Sequence, residues 1–450
     1  MKIEKILIFC CILCAAYSCS TEEDIPSSAE QPVDAPSENV YLAFNQWIYA
    51  QMNHHYLWRD DLPDSTACNY DLAPNEFYTS LLSDKDRFSY MVNNPYYSPD
   101  AGANLGFAYQ NYRDDQNRTA SLVLYVTAPE AAAAGIRRGD WLHIMQIDAT
   151  SATFTKAMVT NGRFVYDDKA FTMALPTQTP KSTVLLDSIY PGDVGYLCYT
   201  QYEDTADLVP ALTRFKTQGI RHLILDLRYN PGGYVKTAKF LSSCIAPESA
   251  YGNIFQIETF NDIISEENIR KTGRPEQIEY FSRPVPDSIK VIGGQPIIPL
   301  NLPRLYVLTS SHTASASEAT VIALRPFMEV VLIGENTVGK GVGMYPLYDK
   351  RYKYALQPIT FQYYNQNWET IPPDGLVPDY YMADGYLTSK KNIGDTDEPL
   401  LNAALSIING STPTAQTAHA KRSENEYHLT PIGEPSYVTE FYNTHYNEQN

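Results

Sequence analysis

The sequence predicts a multidomain chain of mixed α/β and α+β class: an N-terminal helical unit, a β-rich module, and an α/β domain built on parallel βαβ units. Three observations carry this reading. Apolar residues recur at helical spacing through residues 41–96, short strand-like runs fill 102–180, and from Gly195 apolar strands alternate with amphipathic helices. The 450 residues exceed what a single core usually organises, and a 44% hydrophobic content supplies ample core material, excluding wholesale disorder. A formal net charge of −18 argues against a surface built to hold phosphates, so nucleic acid is not an expected partner.

Residues 1–19 read as a signal peptide. Lys2 and Lys5 flank the start and Ile6 to Ala16 form an apolar stretch too short for a membrane span. Ala16-Tyr-Ser-Cys19 resembles a lipobox, with Ala16 standing where leucine is usual, so Cys19 is the expected lipid attachment point; cleavage without lipid is the alternative. The mature chain is then expected in the cell envelope, anchored to the outer membrane. Residues 20–40, rich in Ser, Pro and acids, read as a flexible tether, and Glu22-Glu23-Asp24 resembles a surface-export signal of Bacteroides-group lipoproteins. Cys68, Cys198 and Cys244 remain after the leader, too few and too widely spaced for a disulfide framework or a metal site.

In the helical unit, Leu42, Phe44, Trp47, Ile48 and Met52 mark one helix, and Phe77, Leu81 and Leu82 follow Pro74 in a second. His54 and His55 are adjacent on the first and point about 100° apart, which is unsuited to sharing a metal. Next come strand-like runs at 105–112 and 121–128, a helical turn at 130–136 and a strand within 139–148. This order resembles a PDZ module. The resemblance implies that the loop Leu105, Gly106, Phe107 and Ala108 holds a peptide carboxylate and that a strand edge accepts the peptide; a β-rich domain without a ligand is the alternative. Residues 154–180 read as the end of the module and a linker.

The α/β domain, residues 181–410, is read as strands at 194–200, 222–228, 305–310 and 329–334. Helices are expected at 208–219, 235–244, 315–326 and 397–409. The tail 411–450 is left unassigned. In such sheets working residues gather at the carboxyl ends of strands, and three motifs fall there. DLRYNPGG (226–233) makes a turn whose glycines let backbone N–H groups approach a substrate oxygen. SSHTASASE (310–318) places Ser315 and Glu318 in a capping box, a structural role that also puts a hydroxyl at a helix N-terminus. ENTVGKGVG (335–343) hems Lys340 with glycines one βα unit later, and parallel strands about 4.8 Å apart bring the two loops together. His312 invites a Ser-His pair, without an Asp motif to complete a triad.

Together, the helical unit, the PDZ-like module, DLRYNPGG, TASASE, GKG and GLVPD (375–379) resemble the C-terminal processing (tail-specific) peptidases, a family of serine proteases. That resemblance implies Ser315 as nucleophile, Lys340 as general base, the N–H groups of Gly232 and Ala316 as oxyanion hole, peptides or proteins as substrates, and no metal or organic cofactor. One departure is Met344, where the family often has a glutamine orienting the lysine; Thr337 or Gln357 is the expected substitute. Met344 also keeps open a catalytically degenerate lipoprotein scaffold that binds peptides through its PDZ module. A binder of apolar small molecules is a third reading, against which Ser315 and Lys340 count.

Overall fold

The computed structural model describes residues 40–93, 104–177, 182–284, 294–384, 390–413 and 429–439. The leader, Cys19 and the tether lie outside the described residues. Among those described, no helix is long and apolar enough to cross a membrane.

The central sheet has six strands in the order Tyr380–Tyr381, Glu329–Gly334, Arg304–Thr309, His222–Asp226, Val194–Tyr199 and Val184–Tyr190. All neighbours pair in parallel except the last two strands. Period-two alternation decides what covers each face. Leu223, Leu225, Leu305, Val307 and Leu332 face helices Thr205–Gln218, Val235–Ile245 and Ala316–Leu324, whereas Ile224, Tyr306, Leu308 and Ile333 meet Leu400, Leu401 and Ala404 of helix Pro399–Ile408. Both faces are dry, which is why these strands read as unbroken apolar runs.

The β-rich module is a six-stranded antiparallel sheet: Thr430–Ile432, Phe107–Arg113, Thr119–Val126, Trp141–Ile147, Ser151–Thr160 and Arg163–Ala174. Two findings go beyond the sequence reading. The stretch read as module end and linker is a long hairpin turned at Asn161 and Gly162, both at positive φ (52° and 73°). From the unassigned tail, Thr430–Ile432 forms the sheet's outer strand.

The helical unit holds helices Leu42–His55 and Pro74–Ser80, but Tyr90–Asn93 departs from the helical expectation. It is a strand paired with Tyr354–Gln357, where its aromatic and β-branched residues favour the pleat. Phe44, Ile48, Met52, Tyr56 and Phe77 share a core with Leu356 and Ile359, so the unit is packed onto the α/β domain. His54 Nε2 lies 3.3 Å from Glu267.

Candidate active site

Strands Arg304–Thr309 and Glu329–Gly334 end in register, Thr309 opposite Gly334, so the loops leaving them start side by side. The first loop turns into a helix at Ser315, and the second carries Lys340. Ser315 takes φ 56° and ψ −116°, a conformation that crowds the β-carbon of any L-residue and persists only where surroundings enforce it.

Glu318 supplies the enforcement. Every residue of helix Ala316–Leu324 is buried, and Glu318 is fully so. A carboxylate there must be saturated with donors. Its Oε2 accepts the N–H of Ser315 (2.8 Å) and of Lys340 (2.9 Å), while Oε1 accepts the N–H of Gly339 (2.8 Å) and the Thr337 hydroxyl. Burial pushes the Glu318 pKa up, and these four donors oppose the rise. On the other side of the backbone, the Tyr363 hydroxyl lies 2.7 Å from the Lys340 carbonyl oxygen and 3.2 Å from that of Ser315. The amides of both residues thus meet one carboxylate oxygen and their carbonyls one phenol.

Lys340 is 5% exposed, and burial brings its pKa down to about 8 against the opposing pull of Glu318 and Asp86. Its Nζ lies 5.5 Å from the centre of the Phe88 ring. Asp86 is fixed by the Tyr56 hydroxyl (2.7 Å) and by the N–H of Phe88 (2.9 Å), so the helical unit builds one wall around the amine. The GLVPD segment closes the lysine loop: Leu376 N–H donates to Thr337 Oγ1 (2.7 Å) and Thr337 N–H to the Leu376 carbonyl (3.2 Å). Gly339 runs so close to the chain entering this segment that a β-carbon would stand 2.2 Å from the Pro373 carbonyl oxygen. Met344 packs with the core of the helical unit, and Gln357 is buried opposite Tyr90 in the neighbouring strand. The Thr337 hydroxyl donates to Glu318.

Gly232 adopts φ +117°, and a β-carbon there would stand 2.8 Å from Ser315 Cβ and 3.1 Å from Ala316 N. The space a methyl would fill is therefore the space beside the serine and the first amide of its helix. The Gly232 N–H donates to Asn230 Oδ1 (2.9 Å), and Asn230 is held in turn by its Nδ2 on the Tyr199 carbonyl (3.0 Å). His312 turns to the C-terminal segment, with Nδ1 3.6 Å from Glu434 and its ring edge-on to Tyr437. In the loop Leu105 to Ala108 all four residues are buried, and the Gly106 N–H donates to Asn104 Oδ1 (2.8 Å). Sequence reasoning missed Asp86, Phe88 and Tyr363, and took Glu318 for a cap alone. No local pattern announces the first three, because they reach the site from distant segments.

Two family models match this chain: peptidase family S41 over residues 193–382 and the peptidase S41 N-terminal domain over residues 43–90. The chain belongs to peptidase family S41. The S41 match spans five of the six strands of the central sheet and both loops of the site. The chain is 26% identical over 269 residues to the carboxyl-terminal-processing protease of Synechocystis, covering 57% of this chain and 56% of that protein. It is 27% identical to the carboxy-terminal processing protease CtpA of Bacillus subtilis, covering 36% of this chain and 30% of that protein. The chain thus spans about half or less of the length of these curated relatives. A crystal structure from Bacteroides fragilis, assigned to the S41 proteases, superposes with a TM-score of 0.67 at 28% identity, covering 81% of this chain and 97% of that one.

Proposed function

We propose that this S41 protein is a serine endopeptidase of exported proteins, with Ser315 as nucleophile and Lys340 as general base. The observation that carries the reading is the buried Lys340 amine, brought down to about 8, on a loop held to that of Ser315 by Glu318 and Tyr363. Neutral Lys340 takes the Ser315 proton as Oγ attacks the scissile carbonyl carbon. The resulting ammonium protonates the leaving amine, and an acyl-enzyme remains. Lys340 then deprotonates a water that cleaves the ester, and the ammonium returns that proton to Ser315 Oγ. The Ala316 N–H faces the developing oxyanion, and the Gly232 N–H joins it by leaving the Asn230 carboxamide. The chain divides into leader 1–19, tether 20–40, N-terminal unit 41–96, PDZ-like module 102–180, whose outer strand comes from residues 430–432 of the tail 411–450, and peptidase domain 181–410. The module captures substrate, and lipid on Cys19 holds the protein at the outer membrane.

A second reading is a noncatalytic peptide-binding lipoprotein; the apolar packing of Met344 and the Gly232 N–H engaged by Asn230 favour it. A fluorophosphonate probe separates the two. The peptidase is expected to label at Ser315 and to cleave a peptide library, and Ser315→Ala is expected to do neither. A native chain that neither labels nor cleaves would leave the binding role.

A further inference from the structure

The outer strand of the module's sheet comes from the far end of the chain. Thr430–Ile432 pairs antiparallel with Phe107–Arg113, in the register Thr430 to Arg113 and Ile432 to Asn111. Beyond the strand, Gln110 Nε2 donates to the carbonyls of Ile432 (3.2 Å) and Gly433 (3.1 Å), and the Tyr109 N–H donates to Ser436 Oγ (2.9 Å). The segment then buries Tyr437 and Val438. The Tyr437 ring meets three others: Tyr125 of the module (6.1 Å), Tyr229 of the DLRYNPGG turn (5.7 Å) and His312 of the serine loop (6.2 Å).

This fastening is weak where it is polar and strong where it is aromatic. Only three residues pair, and Pro431 among them has no N–H to give. The Glu434 to His312 contact, at 3.6 Å between partly exposed groups, adds little. Tyr437 supplies the specific anchor, in a socket walled by both the module and the loops that carry Gly232 and Ser315.

We propose that the edge of Phe107–Arg113, together with the socket of Tyr125, Tyr229 and His312, is an acceptor for peptides that combine a short extended run with a following aromatic–aliphatic pair, and that residues 429–439 occupy it in cis. Strand addition supplies the backbone bonds and the socket the selectivity. The proposal rests on the reading of the module as a substrate-capture device and names the class of segment captured. A substrate bearing such a segment displaces the chain's own, and in doing so changes what packs on Tyr229 and His312, each three residues before a residue of the site.

The test uses the full chain carrying Ser315→Ala, so that binding is read without hydrolysis. Tethering gives the cis segment an effective concentration on the order of millimolar, which shields the acceptor from dilute peptide. A fluorescent peptide of residues 429–439 is titrated by anisotropy against this chain and against versions further carrying Tyr437→Ser or Val438→Ser. Either added substitution is expected to tighten binding at least tenfold, and a peptide with Tyr437→Ala is expected to lose that gain. Equal binding by the shielded and released chains, or none by either, would overturn the proposal. Fluorophosphonate labelling of the same variants with Ser315 intact reports folding. Absence of label on the native chain would refute the peptidase reading and leave the binding result standing.

Discussion

Lys340, the proposed base, shows how burial lowers the pKa of an amine. At its lowered value of about 8, roughly a tenth of the amine is neutral at pH 7, compared with well under a thousandth for a free lysine. The base works only after losing its proton, so kcat/KM of the proposed reaction is expected to rise with pH, pass its midpoint near 8 and level off above it. Lys340→Arg cannot deprotonate and is expected to lower kcat by about 10²–10⁴-fold in a folded protein. A pH–rate series on both chains checks this. Ser315 and Lys340 were legible in the sequence because TASASE and GKG are local patterns at the ends of readable strands. The wall around the amine was not legible, since Asp86 and Phe88 arrive from the helical unit and nothing near them in sequence marks a site. Met344 stands where the family often has a glutamine; in the structure it is half-buried and packs against the core of that unit.

At the scale of elements, the serine helix and the lysine loop behave as one piece because Glu318 gathers their amides and Tyr363 their carbonyls. Tyr363 stands 48 residues from Ser315 and 23 from Lys340. Tyr363→Phe keeps the ring and takes the phenol donor from the Lys340 carbonyl, while the Ser315 carbonyl still accepts the Ala319 N–H (2.8 Å); a cost of about 1–3 kcal/mol of stability is expected. If the phenol positions the pair, kcat also falls by about 10- to 100-fold while KM holds, since small displacements of reacting groups are expensive. A purely structural role would lower the melting temperature alone. Steady-state kinetics beside thermal unfolding distinguishes them. Elements with one dominant period, such as His222–Asp226, were readable; the hairpin 151–174 was not read, although Asn161-Gly162 is a strong two-residue turn signal. Assigning those residues to a linker suppressed it. The strand Tyr90–Asn93 was missed because its partner lies far along the chain.

Across the whole molecule, one buried charge network joins the module to the α/β domain. Arg228, fully buried, pairs with Asp226 (2.9 Å), Glu398 (2.7 Å) and Asp384 (2.6 Å). Asp384 also receives Arg138 of the module (2.7 Å), Lys390 (3.0 Å) and the Tyr229 hydroxyl (2.6 Å). Burial alone would raise the Asp384 pKa; the cationic groups of Arg138, Lys390 and Arg228 overcome this and hold it well below the usual carboxylate range. Asp384→Asn takes the carboxylate from Arg138 and Lys390 while Arg228 keeps Asp226 and Glu398, and a loss of about 3–5 kcal/mol is expected in denaturant unfolding. None of this was visible in DLRYNPGG, where Arg228 read as part of a turn. The same network sets an order of assembly. Arg228 is synthesised 156 residues before Asp384 and 170 before Glu398, so a nascent chain lacking that stretch holds a guanidinium that is costly to desolvate with Asp226 as its one anionic partner from this set. The central sheet therefore gains this pairing only after most of the polypeptide has been made, which would leave the growing chain loose, as the proposed export requires.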